Sequence, residues 1–132
     1  MDGLYSFLQE LKKLNVPVAL ATSAPPGNVE FAFDLLPVRN FFDFILDATH
    51  VVKGKPDPEM YTKAIRLLGI QPQRCIVFED SFSGVQSALS AGAKVIGVAT
   101  THNPEEFEGV SMVIENFRHI NFETLLSLLD KY

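Results

Sequence analysis

The residues best suited to chemistry are two adjacent carboxylates, Glu79 and Asp80, which follow a short apolar run at residues 76–78. The run is typical of a strand buried on both faces, and a helical pattern follows it, with Ser81 or Ser83 available as N-cap. This order places both acids at the carboxyl edge of a sheet, where open α/β folds bind ligands. Adjacent carboxylates favour a cation, and oxygen ligands alone suit Mg²⁺ better than zinc. The alternative is a helix N-terminus decorated with acids, which the helix dipole also favours.

Two other predicted strand ends carry polar groups. Thr22 and Ser23 close one apolar run, and a loop with Lys53 and Lys55 follows the next. Because parallel strands present their carboxyl ends on one edge, we expect these groups to converge with the acid pair. A hydroxyl, backbone N–H groups and a lysine form a phosphate cradle, and an acid pair with Mg²⁺ beside it forms a phosphoryl-transfer site. Taken singly, a Thr-Ser pair is typical of a turn and a loop lysine is typical of a solvated surface.

The periodicity of the remaining residues predicts a single α/β domain over residues 1–132. Strands alternating with helices indicate right-handed βαβ units and a mostly parallel sheet. The predicted helices cover residues 2–15, 28–36 and 57–69, the segment after the acid pair, and a last segment capped by Asn121. The predicted strands cover residues 16–22, 41–48, 76–78, 94–99 and 111–115, and a loop with a short helix covers residues 102–109.

Composition excludes several classes of function. The net charge is −5 and the basic residues are scattered, which argues against a nucleic-acid surface or an anionic membrane as partner. No apolar run approaches the ~18 residues of a membrane span, no signal peptide is recognised, and cytoplasm is the expected location. Cys75 is the only cysteine, so internal disulfides are excluded, and its place at the start of a strand indicates an inert core residue.

Three segments resemble motifs II, III and IV of the haloacid dehalogenase (HAD) superfamily, most closely its beta-phosphoglucomutase-like phosphatase branch. They are Ala-Leu-Ala-Thr-Ser at residues 19–23, Lys-Gly-Lys-Pro-Asp-Pro-Glu at residues 53–59 and Val-Phe-Glu-Asp-Ser-Phe-Ser-Gly-Val at residues 77–85. The resemblance covers nearly the whole chain. It implies a Rossmann-like three-layer sandwich with a mostly parallel sheet, and it selects Lys55, which precedes the proline, leaving Lys53 as a surface lysine.

The resemblance also implies a role for each site residue. Thr22 contacts the transferring phosphoryl group, helped by the backbone of Ser23. Lys55 neutralises the charge of that group and orients the nucleophile. Asp80 ligates Mg²⁺ and Glu79 supports the metal site.

One departure from the family pattern bears directly on activity. The family nucleophile is the first aspartate of an Asp-x-Asp motif on the first strand, and no two aspartates of this chain are separated by a single residue. We therefore expect the first strand and the helical cap to be missing together. In addition, Ala24-Pro25-Pro26 replaces the polar and basic residues common in the mutases, which favours a simple phosphatase.

Two classes of function follow from these motifs. The first is a Mg²⁺-dependent phosphatase of a small phosphorylated metabolite, with sugar phosphates as candidates, whose aspartyl-phosphate forms on an aspartate outside this chain. The second is a non-catalytic fragment that binds at most Mg²⁺ and phosphate, and a phosphosugar mutase is a further alternative. The chain alone is expected to be inactive, and an amino-terminal segment or a second chain is expected to complete the sheet.

Overall fold

The computed structural model of the chain describes residues 2–25, 27–28 and 38–130. Over these residues helices and strands alternate as the periodicity predicts. The helix predicted at residues 28–36 lies, beyond its first residue, outside the described part. The elements are α1 (Leu4–Lys13), β1 (Ala19–Ala21), β2 (Phe44–Leu46), α2 (Glu59–Leu68), β3 (Ile76–Glu79), α3 (Phe82–Ser90), β4 (Lys94–Val98), β5 (Met112–Ile114) and α4 (Phe122–Leu129).

All strand pairings in the described part are parallel, but they form two sheets. Strands β1 and β2 pair with Leu20 opposite Ile45. Strands β3, β4 and β5 pair in that order, with Val77 opposite Val95. Within the described residues no ladder joins β1 to β3. The expected parallel sheet is therefore divided between β1 and β3.

Helices cover both faces of the sheets, which confirms the three-layer α/β sandwich. Strand β4 shows the division, because Val95 packs on one face and its neighbour Ile96 packs on the other. The face of Val95 is covered by α2 and α3, through the buried residues Tyr61, Ile65, Val85 and Ala88. The face of Ile96 is covered by α1 and α4, through Phe7, Leu11, Leu125 and Leu128.

Helix α2 connects the two sheets. Met60 and Ala64 pack with Leu46 of the first sheet, whereas Tyr61 packs in the same cluster as Val77 of the second. Met60 has no exposed surface, and Ala21 at the end of β1 touches both clusters. Burial on both sides of one helix thus links the two sheets, although no strand pairing joins them in the described residues.

The helix ends follow from local sequence. Gly69 ends α2 in the left-handed conformation, with φ of 70°, which glycine adopts at little steric cost. Asn121 begins α4 by accepting a hydrogen bond from the backbone N–H of Thr124 at 3.0 Å. Among the described residues, no helix combines the length and the apolar character needed to cross a membrane.

Candidate functional site

The acid pair lies at the carboxyl end of β3, as the sequence predicts. Glu79 is the last residue of the strand and is only 7% exposed, whereas Asp80 is exposed. Ser81 then begins α3, because its Oγ accepts the backbone N–H of Gly84 at 3.1 Å. The strand-to-helix turn therefore presents one carboxylate to the interior and the next to solvent.

The buried carboxylate of Glu79 is surrounded by donors. Its Oε1 accepts hydrogen bonds from Nζ of Lys55 and from the hydroxyl of Tyr61, each at 2.5 Å. Its Oε2 accepts from Oγ of Ser81 at 3.2 Å and from the Ser81 backbone N–H at 3.4 Å. A carboxylate this deeply buried is stable only when its oxygens are paired, and these donors come from three separate elements of the chain.

Lys55 reaches Glu79 from the loop that follows β2. The side chains of the ion pair are 12% and 7% exposed, respectively. The ammonium of Lys55 also lies 5.0 Å from the ring centroid of Tyr61, within the range of a cation–π contact. Lys53, in contrast, is exposed. The structure therefore separates the two lysines of the loop as the resemblance implies.

The lysine loop is fixed by the acid that begins α2. The carboxylate of Glu59 accepts the backbone N–H groups of Val52 at 2.7 Å and Lys53 at 3.1 Å. These two hydrogen bonds hold the pKa of Glu59 below its usual range. On the other side of the loop, Oγ of Ser87 in α3 donates to the carbonyl of Asp57 at 2.7 Å. The backbone that carries Lys55 is thus attached to both α2 and α3.

Tyr61 enters the site from the apolar face of α2. Burial raises the pKa of its phenol far above the usual range, and the negative charge of Glu79 raises it further. The hydroxyl therefore keeps its proton at neutral pH and serves as a donor to Glu79. The helical period places Tyr61 on the apolar face of the helix predicted at residues 57–69, and this pattern gives no sign of its polar role. The available signal is a single phenol in an otherwise apolar stripe, since a buried tyrosine hydroxyl usually finds a partner.

Gly84 was also missed, although its contact with Glu79 is specific. A Cβ built on Gly84 would overlap all three atoms of the Glu79 carboxylate group. The first turn of α3 therefore approaches the carboxylate as closely as only a glycine allows.

Thr22 and Ser23 lie where β1 ends. The backbone N–H of Thr22 donates to the carbonyl of Leu46 in β2 at 2.9 Å, and its Oγ1 accepts the N–H of Ala24 at 3.1 Å. Ser23 is exposed. The N–H of Ala48, just after β2, donates to the carbonyl of Ala24 at 3.1 Å. The loops after β1 and β2 are thus joined, at the same edge from which Lys55 extends to β3.

The described residues supply some, but not all, of the ligands that a Mg²⁺ ion needs. The exposed carboxylate of Asp80 is a suitable hard ligand, but the oxygens of Glu79 already have donors from the chain. No group of three or more His, Cys, Asp and Glu residues in the described part is arranged to hold a metal ion. This part of the chain could therefore contribute ligands to a magnesium shell but does not complete one.

Comparison with known proteins identifies the class. Residues 1–92 match the family model described as haloacid dehalogenase-like hydrolase, so the chain belongs to this family. A solved HAD hydrolase of family IA, variant 3, from Entamoeba histolytica superposes with a TM-score of 0.92 and 38% identity, over 98% of this chain and 60% of that one. The resemblance and the α/β architecture are both confirmed.

Two curated relatives show which members of the family this chain is similar to. The chain is 32% identical to validoxylamine A 7'-phosphate phosphatase of Streptomyces hygroscopicus subsp. limoneus, over 92% of its own length and 57% of the relative. It is 28% identical to the beta-phosphoglucomutase of Bacillus subtilis, over 100% of its own length and 56% of the relative. The chain therefore spans little more than half the length of these relatives.

Proposed function

We propose that this chain forms the phosphate- and magnesium-binding part of a HAD-family phosphatase for a small phosphorylated metabolite, with sugar phosphates as the substrate class. The observation that supports this most directly is the buried Lys55–Glu79 pair beside the exposed Asp80. A lysine held in this way offers a preorganised positive charge at the carboxyl edge of the sheets. The similarity to a phosphatase and to a phosphoglucomutase supports the substrate class.

Each residue has a defined part in this proposal. Lys55 binds the phosphoryl oxygens and neutralises their charge, and Thr22 and the Ser23 backbone contribute hydrogen bonds from the end of β1. Asp80 contributes a ligand to Mg²⁺, and Glu79 supports the site through Lys55. Bound Mg²⁺ would supply further charge neutralisation of the phosphoryl group.

The covalent step needs an aspartate that the Asp-x-Asp motif would supply, and the sequence of this chain contains no such motif. In the proposed reaction the first aspartate carboxylate of that motif attacks phosphorus as the P–O ester bond breaks, and the second aspartate, as the general acid, gives its proton to the departing ester oxygen. Water then hydrolyses the aspartyl phosphate to inorganic phosphate and the free carboxylate. We place this nucleophile outside the chain. The chain alone would then bind Mg²⁺ and phosphate without turnover.

Thermal melting of the chain with millimolar Mg²⁺, phosphate, or both tests the binding site. A ligand that binds only the folded state raises the free energy of unfolding by RT ln(1 + [L]/Kd), and the melting temperature rises as a result. We expect Asp80→Asn to remove the Mg²⁺ response and Lys55→Met to remove the phosphate response. The matched controls Asp130→Asn and Lys53→Met change exposed residues of the same charge and should respond like the wild type. Wild-type melting curves that neither ligand shifts would contradict the proposal.

Hydrolysis of p-nitrophenyl phosphate tests the position of the nucleophile. We expect no Mg²⁺-dependent turnover by the purified chain, because removing the nucleophile removes the covalent step itself. If the chain hydrolyses the substrate and Asp80→Asn abolishes that activity, the chain is catalytically complete. The proposal that the nucleophile lies outside the chain would then be wrong.

A further inference from the structure

We infer that Tyr61 is a positioning residue for phosphate binding: its hydroxyl holds the Glu79 carboxylate, and through it the Lys55 ammonium, in the orientation that meets the phosphoryl group. This inference rests on the proposed function of Lys55. It assigns a role to a helix residue that lies outside the strand-end loops.

The geometry at Glu79 distinguishes this role from that of an ordinary buried tyrosine. The hydroxyl of Tyr61 and the ammonium of Lys55 donate to the same oxygen, Oε1, each at 2.5 Å. Tyr61 is 6% exposed, so water cannot readily replace its hydroxyl. Without that hydroxyl, the ammonium would be the remaining donor on Oε1 among the hydrogen bonds described.

The surroundings of the carboxylate make its position depend on its donors. Where α3 passes closest to the carboxylate, Gly84 offers only its backbone and no hydrogen-bonding side chain. Ser81 holds the other oxygen, Oε2, through a side-chain contact at 3.2 Å and a backbone contact at 3.4 Å, both longer than the contacts on Oε1. We therefore expect Tyr61 to contribute more than Ser81 to the orientation of the carboxylate.

The ring of Tyr61 adds a second constraint on Lys55. The ammonium lies 5.0 Å from the ring centroid while it donates to Oε1. A lysine side chain has a flexible stem and a compact charge, so its position is set by what surrounds the ammonium. The hydroxyl of Tyr61, through Glu79, and the ring of Tyr61 together restrict the position of the Lys55 ammonium. Substitution by phenylalanine removes the first constraint and keeps the second.

Tyr61→Phe in the whole chain, with Tyr5→Phe as matched control, tests the inference. Tyr5 is 47% exposed on α1 and undergoes the same chemical change away from the site. The first measurement is the NMR signal of the Lys55 side chain, assigned by its loss in Lys55→Met. We expect this signal to shift in Tyr61→Phe and in Glu79→Gln and to stay in place in Tyr5→Phe. A purely structural tyrosine would lower the melting temperature without moving the signal.

The second measurement is the dissociation constant of inorganic phosphate from the same variants, by titration calorimetry. We expect Tyr61→Phe to weaken phosphate binding about threefold to tenfold, and Tyr5→Phe to leave it unchanged. If the wild type binds no phosphate, the proposed function fails, and the lysine signal still decides whether Tyr61 positions Lys55. An unshifted Lys55 signal in folded Tyr61→Phe would overturn the inference.

Discussion

At the scale of single residues, one buried carboxylate determines what its neighbours can be. Glu79 requires a cation, a phenol and a serine as donors, and it requires a glycine where α3 passes behind it. Burying a charge is costly unless it is paired and hydrogen-bonded, so these residues form one unit. A substitution of any one of these residues changes the surroundings of the two carboxylate oxygens of Glu79, and so affects the others.

Gly84→Ala tests the close approach of α3 to Glu79. The added methyl group would overlap the carboxylate, and Lys55 and Tyr61 oppose its displacement. We expect the free energy of unfolding in urea to fall by about 1–3 kcal/mol, the usual cost of overpacking. Gly54→Ala is the control, because nothing lies within 4 Å of a Cβ at that position. Equal effects in the two variants would contradict the contact.

Cys75 provides a prediction of pH dependence. Burial raises the pKa of its thiol from 9.0 to about 11, so the folded state keeps a proton that the unfolded chain releases. The unfolded state therefore binds fewer protons between pH 9 and 11, and the stability contributed below pH 9 is lost as the pH rises. We expect Cys75 alone to lower the free energy of unfolding by at most about 2–3 kcal/mol over that range.

The Cys75→Ala variant separates this contribution from other alkaline effects. It removes the titrating thiol and keeps a small apolar side chain in the core. Tyr61, whose pKa is also raised, titrates in both proteins, and the charge of Cys75 is a lesser cause of its shift than burial and Glu79. Stability measured against pH should decline less steeply above pH 9 in the variant. Parallel curves would show that the thiol does not titrate in this way.

At the scale of elements, the N-cap of α3 connects the helix to the candidate site. The sequence offers Ser81 or Ser83 as N-cap, and the structure uses Ser81. Ser81 also donates to the buried Glu79 at 3.2 Å, so one side chain both caps the helix and holds the carboxylate. The start of the helix and the orientation of the acid are therefore coupled.

Three alanine variants measure that coupling. Asn121→Ala removes the cap and an exposed hydrogen bond from the Thr124 hydroxyl, and we expect it to lower the free energy of unfolding by about 1 kcal/mol. Ser81→Ala should cost more, because it also leaves a buried oxygen short of a donor. Ser83→Ala changes an exposed residue and should have almost no effect. If Ser81→Ala and Asn121→Ala cost the same in chemical denaturation, the bond to Glu79 adds nothing.

Hydrophobic periodicity was enough to predict the described elements, because each helix or strand buries one regular set of positions. It overestimated strand length: the strand predicted at residues 16–22 forms a ladder with β2 only over Ala19–Ala21, with single backbone hydrogen bonds at Val18 and Thr22 on either side. It also missed the polar role of Tyr61 and the close approach at Gly84. Both depend on distances between α2, α3 and β3, which a linear pattern does not contain.

The strand-end residues illustrate the same limit for the site. Their order along the chain predicted that the lysine loop and the acid pair share one edge, and the contact of Lys55 with Glu79 agrees. The sequence did not indicate that Glu79 turns inward while Asp80 faces solvent. That difference arises because successive side chains of a strand point to opposite faces, and because the hydrogen-bond donors of the interior surround Glu79.

At the scale of the whole molecule, the described residues form two sheets, and the facing edges of β1 and β3 have no strand partner among them. Strand β1 pairs on one side with β2, and β3 pairs on one side with β4. Alternate backbone groups, those of Ala19 and Ala21 in β1 and of Ile76 and Phe78 in β3, point away from these partners. These four residues are half-buried, and an unpaired N–H or C=O group costs about 1–3 kcal/mol when it is fully buried.

We predict that another strand, from an amino-terminal segment or a second chain, completes the sheet between β1 and β3. Direct closure is the alternative, but it would require the helices on both faces to repack, and the described residues show no β1–β3 pairing. Neighbouring strands lie about 4.8 Å apart, so a strand inserted between β1 and β3 would need them roughly twice that distance apart. A protein of this size has only about 5–15 kcal/mol of net stability, which makes several unpaired groups a strong driving force for strand addition.

Amide hydrogen exchange of the chain, followed by NMR at several concentrations, tests this prediction. At low concentration we expect the amides of Ala19, Ala21, Ile76 and Phe78 to exchange faster than those of Leu20 and Val77, which face a paired strand. If a second copy donates the strand, their protection should rise with concentration, together with the molecular mass. An added amino-terminal segment should protect them in the monomer. Strong protection of all six amides in a dilute monomer would instead show that β1 and β3 close directly on each other.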